Sequence, residues 1–194
     1  MKTLYRTGIV VALLCSAGGL AGCAAAVVGG AAVTATSAYD RRTTGTVVDD
    51  EFIEFKAEEA WGADDELHAQ GHFNATSFNG VLLITGEVPS ETLRQRSASL
   101  VRNLPKVREV HNELRVAAPS SLPSRSSDSW VTGKVKTALL NAESVESLHV
   151  KVVTEAGVVY LMGLVSRAEA DAATDVARRV DGVQRVVKVF EYLD

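Results

Sequence analysis

A pattern carried twice along the chain limits the possible folds more than any single motif. Asn79-Gly80 precedes the apolar run Val81-Leu82-Leu83-Ile84 and then Gly86 and Val88; Ala156-Gly157 precedes Val158-Val159-Tyr160-Leu161 and then Gly163 and Val165. Each segment passes through a polar start, Pro89-Ser90-Glu91 or Ser166-Arg167-Ala168-Glu169, into a helix-like stretch. Each closes on a valine-rich strand, Val107-Arg108-Glu109-Val110 or Val183-Gln184-Arg185-Val186. One folded unit is therefore used twice.

Local chemistry gives each copy the order helix, strand, strand, helix, strand. Asn79 and Gly80 both tolerate positive φ and signal a two-residue hairpin, whereas Ala156-Gly157 relies on its glycine. Ser166 with Glu169 reads as a capping box, and the stretch after it sets Ala170, Ala173, Ala177 and Val180 on one face. Joining the second strand to the third through a helix implies a right-handed crossover between parallel strands. The expected fold class is α+β: two tandem units, each a three-stranded mixed sheet packed on two helices. Gly80, Gly86, Gly157 and Gly163 are structural glycines, needed for positive φ or for the close approach of a helix. None belongs to a phosphate loop, since no Lys-Ser or Lys-Thr follows a glycine-rich run.

The N-terminus addresses the chain to a membrane. Lys2 and Arg6 precede an apolar stretch from Gly8 to Leu20, thirteen residues long and too short to span a bilayer. Leu20-Ala21-Gly22-Cys23 follows as a lipobox, so residues 1–22 are a signal peptide and Cys23 is the lipid attachment site. Several acyl chains there would anchor the protein firmly, each buried methylene contributing about 0.8 kcal/mol. Of the two cysteines, Cys15 leaves with the signal and Cys23 carries lipid, which leaves no disulfide or thiol chemistry. Ala24 in place of Asp resembles the pattern sorted to the outer membrane. Residues 23–45, rich in Ala, Gly, Val and Thr, read as a tether. Pro119, Pro123 and six serines between Ala117 and Ser129 read as a linker. The expected domains are thus 46–117 and 129–194, with 118–128 between them.

Removing the first 22 of 194 residues leaves 172, with 18 basic side chains against 24 acidic ones. That balance argues against nucleic acid as the main partner. His68 and His72 stand at i, i+4, but Gly71 interrupts the helix and no third ligand is spaced with them, so no metal is expected. His111 and His149 fall in expected strands. Asp64-Asp65-Glu66 reads as a solvated loop, and no serine occupies a nucleophile elbow. No catalytic residue and no cofactor is expected, and the chain is expected to be a monomer.

A lipobox, a Ser/Pro linker and two Gly-hydrophobic-Gly copies together resemble the dual BON-domain lipoproteins. The resemblance covers nearly all of the mature chain and is strongest in its second half. It implies the helix-strand-strand-helix-strand fold, a lipid-anchored protein of the outer membrane facing the periplasm, and non-enzymatic work for envelope integrity. It further implies enrichment at the division site, with the second domain contacting anionic phospholipid. The alternatives are a protein-interaction adaptor for the outer-membrane assembly machinery and a mechanical or osmotic-stress protein of the envelope.

Helical geometry suggests which surface would do this. Val131, Val135, Ala138 and Leu139 share one arc of the second domain's first helix, as Ile53, Ala57, Ala60 and Trp61 do in the first domain. Trp61 is thus a core aromatic. Trp130 falls instead with Gly133, Lys134, Thr137 and Asn141, an indole beside an ammonium group, the composition of an interfacial membrane contact. The matching positions in the first copy are Phe52, Lys56 and Glu59. Six acids and one lysine lie between Asp49 and Trp61, against one acid, Lys134 and Lys136 between Asp128 and Asn141. An anionic surface would favour the second helix. The other reading of Trp130 is packing against the first domain or the linker.

Overall fold

A computed structural model describes residues 40–142 and 145–194, so the expected signal peptide, the expected lipid attachment site Cys23 and most of the expected tether lie outside the described residues. Helix α1 (Thr44–Gly62) begins where the Thr46 amide donates to Thr43 Oγ1, and its buried positions Asp50, Ile53, Ala57 and Trp61 recur at helical spacing. A short helix α2 (Asp65–Gln70) follows. Its first turn contains the acidic run expected to be a loop: Asp64 accepts from the Leu67 amide, and Asp65 and Glu66 sit at the electropositive helix start. Strands β1 (His72–Phe78) and β2 (Val81–Val88) form an antiparallel hairpin. Helix α3 (Glu91–Val101) returns the chain to β3 (Glu109–Asn112) and β4 (Arg115–Val116), both parallel to β2. The first sheet thus has four strands where three were expected, because Asn112 folds back to accept from the Leu114 amide and interrupts the last strand.

The second copy repeats the plan: α4 (Leu122–Leu140), a 3-10 turn (Ser147–His149), β5 (Val150–Glu155), β6 (Val158–Val165), α5 (Arg167–Ala177) and β7 (Arg185–Tyr192). β5 pairs antiparallel and β7 parallel with β6. The capping box is present at α5, with Glu169 N donating to Ser166 Oγ and Ser166 N to Glu169 Oε2. Two expectations are corrected. The segment 118–128 is not all linker, since Leu122 to Asp128 is the first third of α4; Pro123 lies in the first turn, where its missing amide costs nothing. Val180 is not on α5, which ends at Ala177.

Both hairpin turns place two residues at positive φ: Asn79 at 53° and Gly80 at 76°, Ala156 at 48° and Gly157 at 73°. An alanine there costs about 1–2 kcal/mol. A buried carboxylate offsets it, because Asp128 accepts from Ala156 N at 2.9 Å and from Gly157 N at 2.8 Å. Asp50 does the same 78 residues earlier, taking the amides of Asn79 and Gly80 as well as the Ser77 hydroxyl. At Gly86 and Gly163 the close neighbour is a backbone carbonyl at or just before a strand start, not a packed helix: an added Cβ would collide with His72 O and His149 O. Only Gly86 of these two has positive φ, at 121°.

Alternation along β2 and β6 sets the layers. Leu82, Ile84 and Val88 face the first domain's helices, and Val159, Leu161 and Val165 face those of the second. The residues between them form a third core, in which Phe78, Val81 and Leu83 meet Val158, Tyr160, Met162 and Val189. The two sheets therefore pack face to face, with helices on the outside. At about 1.5–3 kcal/mol for each large side chain removed from water, this layer is ample to hold the domains together. Polar ties surround it: Lys151 Nζ to Glu54 at 2.9 Å, Asn74 to Glu155 at 2.7 Å, and Asn79 and Arg108 to Glu191 at 2.6 and 2.8 Å. Arg41, at the end of the expected tether, donates to both oxygens of Glu169 and to Leu164 O. The chain thus enters the folded body by way of the second domain.

Two outcomes follow from these contacts. Asp128→Ala leaves two buried turn amides without an acceptor and should lower the unfolding free energy by about 3 kcal/mol, read by urea denaturation. The hydrogen bonds from Arg41, helped by Ser166, hold the Glu169 carboxyl at about 2, down from its ordinary 4.5. Because the folded value is the lower one, this stabilisation is complete above pH 4.5 and is lost as the pH falls from there through 2. In Arg41→Ala the Glu169 carboxyl should titrate nearer its ordinary value, as followed by carbon NMR, with a smaller acid-induced loss of stability.

Candidate functional site

Helix α4 buries Asp128, Val131, Val135 and Leu139 and turns Trp130 outward, with 69% of that residue exposed. Trp130, Gly133, Lys134, Thr137 and Asn141 line one groove of about 550 Å³, closed by Ala138 and Val180. Helical spacing thus brought together all five residues expected on this face, and it missed both walls. Ala138 was read as core. Val180 reaches the groove because the chain turns at the end of α5, which a helical wheel does not capture.

The chemistry of the groove is mixed. Gly133 has open space where a side chain would stand, so its role is to leave the groove unfilled rather than to permit packing. Thr137 donates its hydroxyl to Gly133 O at 2.9 Å, and Asn141 caps the helix. Lys134 donates to Asp181 O and lies 3.6 Å from the Asp181 carboxylate. Its positive charge is partly offset by an aspartate that is itself fully exposed. The alternative reading of Trp130, packing against the first domain or the linker, does not fit so exposed an indole.

Ion pairing revises the charge contrast between the two helices. Among the acids of α1, Asp50 is buried against Arg42 at 2.7 Å, Glu54 pairs with Lys151 and Glu59 with Lys56, and Asp49 lies 3.3 Å from Lys106. Most of the apparent negative surface is therefore internally compensated. In the second copy Asp128 is inside the hairpin turn, and Lys136 lines a separate depression with Leu139 and Leu140. Lys134 is the lysine that lines the Trp130 groove.

The matching face of α1 exposes Phe52 by 45% and Phe55 by 60%, with Lys56 Nζ 5.7 Å from each ring centre. Trp61 is a core residue as expected: it is buried, stacks on Phe73 at 4.9 Å and donates its indole N–H to Ser97 O. His68 and His72 do not share a face, since one lies on α2 and the other on β1. His111 is on β3, and His149 is in the 3-10 turn rather than in a strand.

The model of the BON domain matches residues 49–118 and again 127–194, the two copies just described. The chain belongs to the BON-domain family. A BON protein named outer membrane lipoprotein DolP, from Haemophilus influenzae, is 45% identical over 90% of this chain and 91% of its own length. The 21 kDa hemolysin of Actinobacillus pleuropneumoniae is 37% identical, with 81% of each chain covered. Osmotically-inducible protein Y of Escherichia coli is 31% identical over 73% of this chain and 72% of its own. The similarity to DolP supports an outer-membrane lipoprotein of the BON family. Among the described residues no helix is long and apolar enough to cross a membrane.

Proposed function

We propose that this BON protein is a binding module, not an enzyme, held by Cys23 on the periplasmic side of the outer membrane, where its second domain docks on anionic phospholipid and supports envelope integrity. The observation that carries the reading is the exposed Trp130 indole beside the Lys134 groove, on a helix whose opposite face is fully used in packing. Indole favours the headgroup level of a bilayer, and an ammonium group near an anionic surface gains about 1 kcal/mol. One such contact is weak. The tether makes it sufficient: residues 24–40 span at most roughly 60 Å at about 3.5 Å each, which keeps the local lipid concentration high.

A second reading rests on the exposed Phe52 and Phe55 of α1, whose neighbours Glu51 and Glu58 make no ion pair among the described residues. An acidic-rimmed aromatic face suits a protein more than an anionic bilayer. It favours an adaptor role toward the outer-membrane assembly machinery, with the second domain still holding the lipid.

A chain beginning at residue 24, which has lost the anchor, should bind weakly but measurably to phosphatidylglycerol vesicles at high lipid concentration, and not to phosphatidylcholine vesicles. Trp130→Glu should weaken that binding at least about tenfold, the equivalent of 1.4 kcal/mol, while leaving the fold intact. Equal binding by Trp130→Glu and the parent chain would overturn lipid docking. A protein crosslink that survives Trp130→Glu but is lost in Phe55→Glu would favour the adaptor.

A further inference from the structure

The seam between the two sheets changes character at one end. Opposite the apolar layer it becomes polar, and a cavity of about 370 Å³ opens there, lined by His72, Asn74, Arg125, Thr132 and Glu155 among others. His72 on β1 stands directly across from Glu87 on β2, and Glu155 reaches the same point from the end of β5 in the other domain. One imidazole nitrogen and two carboxylate oxygens thereby come within 4.8 Å of one another.

Among the described residues the two acids at this point make no ion pair with a lysine or arginine, for Arg125, which lines the same cavity, is held by Ser120. Glu87 and Glu155 are nevertheless only 2% and 6% exposed. Their partners are His72 Nδ1 at 3.1 Å and Ser120 N at 3.2 Å for Glu87, and Asn74 Nδ2 at 2.7 Å and Thr85 Oγ1 at 3.5 Å for Glu155. A second acid pair with a histidine, Glu146, His149 and Glu169, shows the contrast, because Arg41 supplies its positive charge. Two buried carboxylates are costly without a counter-charge, and a doubly charged cation would balance both.

We propose that His72, Glu87 and Glu155 bind a divalent transition-metal ion, zinc fitting best, that staples the two BON domains at their seam. One imidazole and two carboxylates are a borderline N/O donor set that suits zinc, and the cavity leaves room for water in a fourth position. Zinc bonds of about 2.0–2.2 Å place tetrahedral donors roughly 3.3 Å apart. The His72–Glu87 pair already meets this at 3.1 Å, so only Glu155 must swing inward. Asn74 and the Ser120 amide, which hold the two carboxylates, act as orienting groups behind the ligands. The sequence pattern at His68 and His72 led to no metal being expected; the proposed site departs from that by using His72 without His68, with ligands drawn from three strands.

The experiment uses the full lipidated chain in detergent, stripped with chelator and titrated with zinc chloride by calorimetry, with bound metal counted by mass spectrometry. The parent and His149→Ala should each bind about one zinc, and zinc should raise the unfolding temperature of both. Glu155→Gln and His72→Gln should bind at least about tenfold more weakly and lose that thermal shift, their metal-free circular dichroism reporting that they are folded. If either variant fails to fold, cobalt in the parent decides, a tetrahedral visible spectrum supporting the site. Failure of the parent to hold zinc, unchanged binding in both variants, or loss in His149→Ala instead would overturn the proposal.

Discussion

Strands β2 and β6 have no face left for water, and the fold on either side of them follows from that. Alternate side chains close each domain's own core against its helices, while the ones between them, Leu83, Tyr160 and Met162 among them, meet across the pseudo-repeat. Sheets that spend both faces in packing force the helices to the outside, so the surface of the molecule is helical on both flanks. The outward face of α4, which we propose meets the membrane, is exposed because the sheet side is unavailable.

Duplication gave two equivalent helices, and their differences account for the division of labour proposed for them. Asp50 and Asp128 perform the same task, each locking its hairpin from the second turn or so of the domain's first helix. Beyond that they diverge. Position 52 is Phe in an acidic neighbourhood, and its counterpart Trp130 overlooks a groove kept open by Gly133. Arg41 adds an asymmetry: by gripping Glu169, it joins the incoming chain to the domain that carries the groove.

Sequence patterns were informative wherever the signal was local. The element order, the Asn79-Gly80 hairpin, the Ser166–Glu169 capping box, the burial of Trp61 and the outward position of Trp130 all rest on spacings within about ten residues. Signals that depended on distant partners were misread. Ser124, Ser126 and Ser127 are weak helix formers, yet their segment is the first part of α4, which has Pro123 in its first turn and is tied through Asp128 to the hairpin 28 residues on. The charge balance of α1 failed for the same reason, since Lys151 and Lys106 reach it from elsewhere in the fold. An uninterrupted apolar run such as Val158 to Leu161 announces burial on both faces without naming the second partner. Here the partner is the other copy.

The most direct test exploits the presence of only two tryptophans, one buried against Phe73 and one exposed on α4. With phosphatidylglycerol vesicles carrying bromine at shallow acyl positions, emission from the Trp130 indole should shift to the blue and be quenched, while a Trp130→Phe chain, reporting Trp61 alone, should be unaffected. Emission from the parent that stays unquenched while the chain is bound to the vesicles would contradict docking through this face.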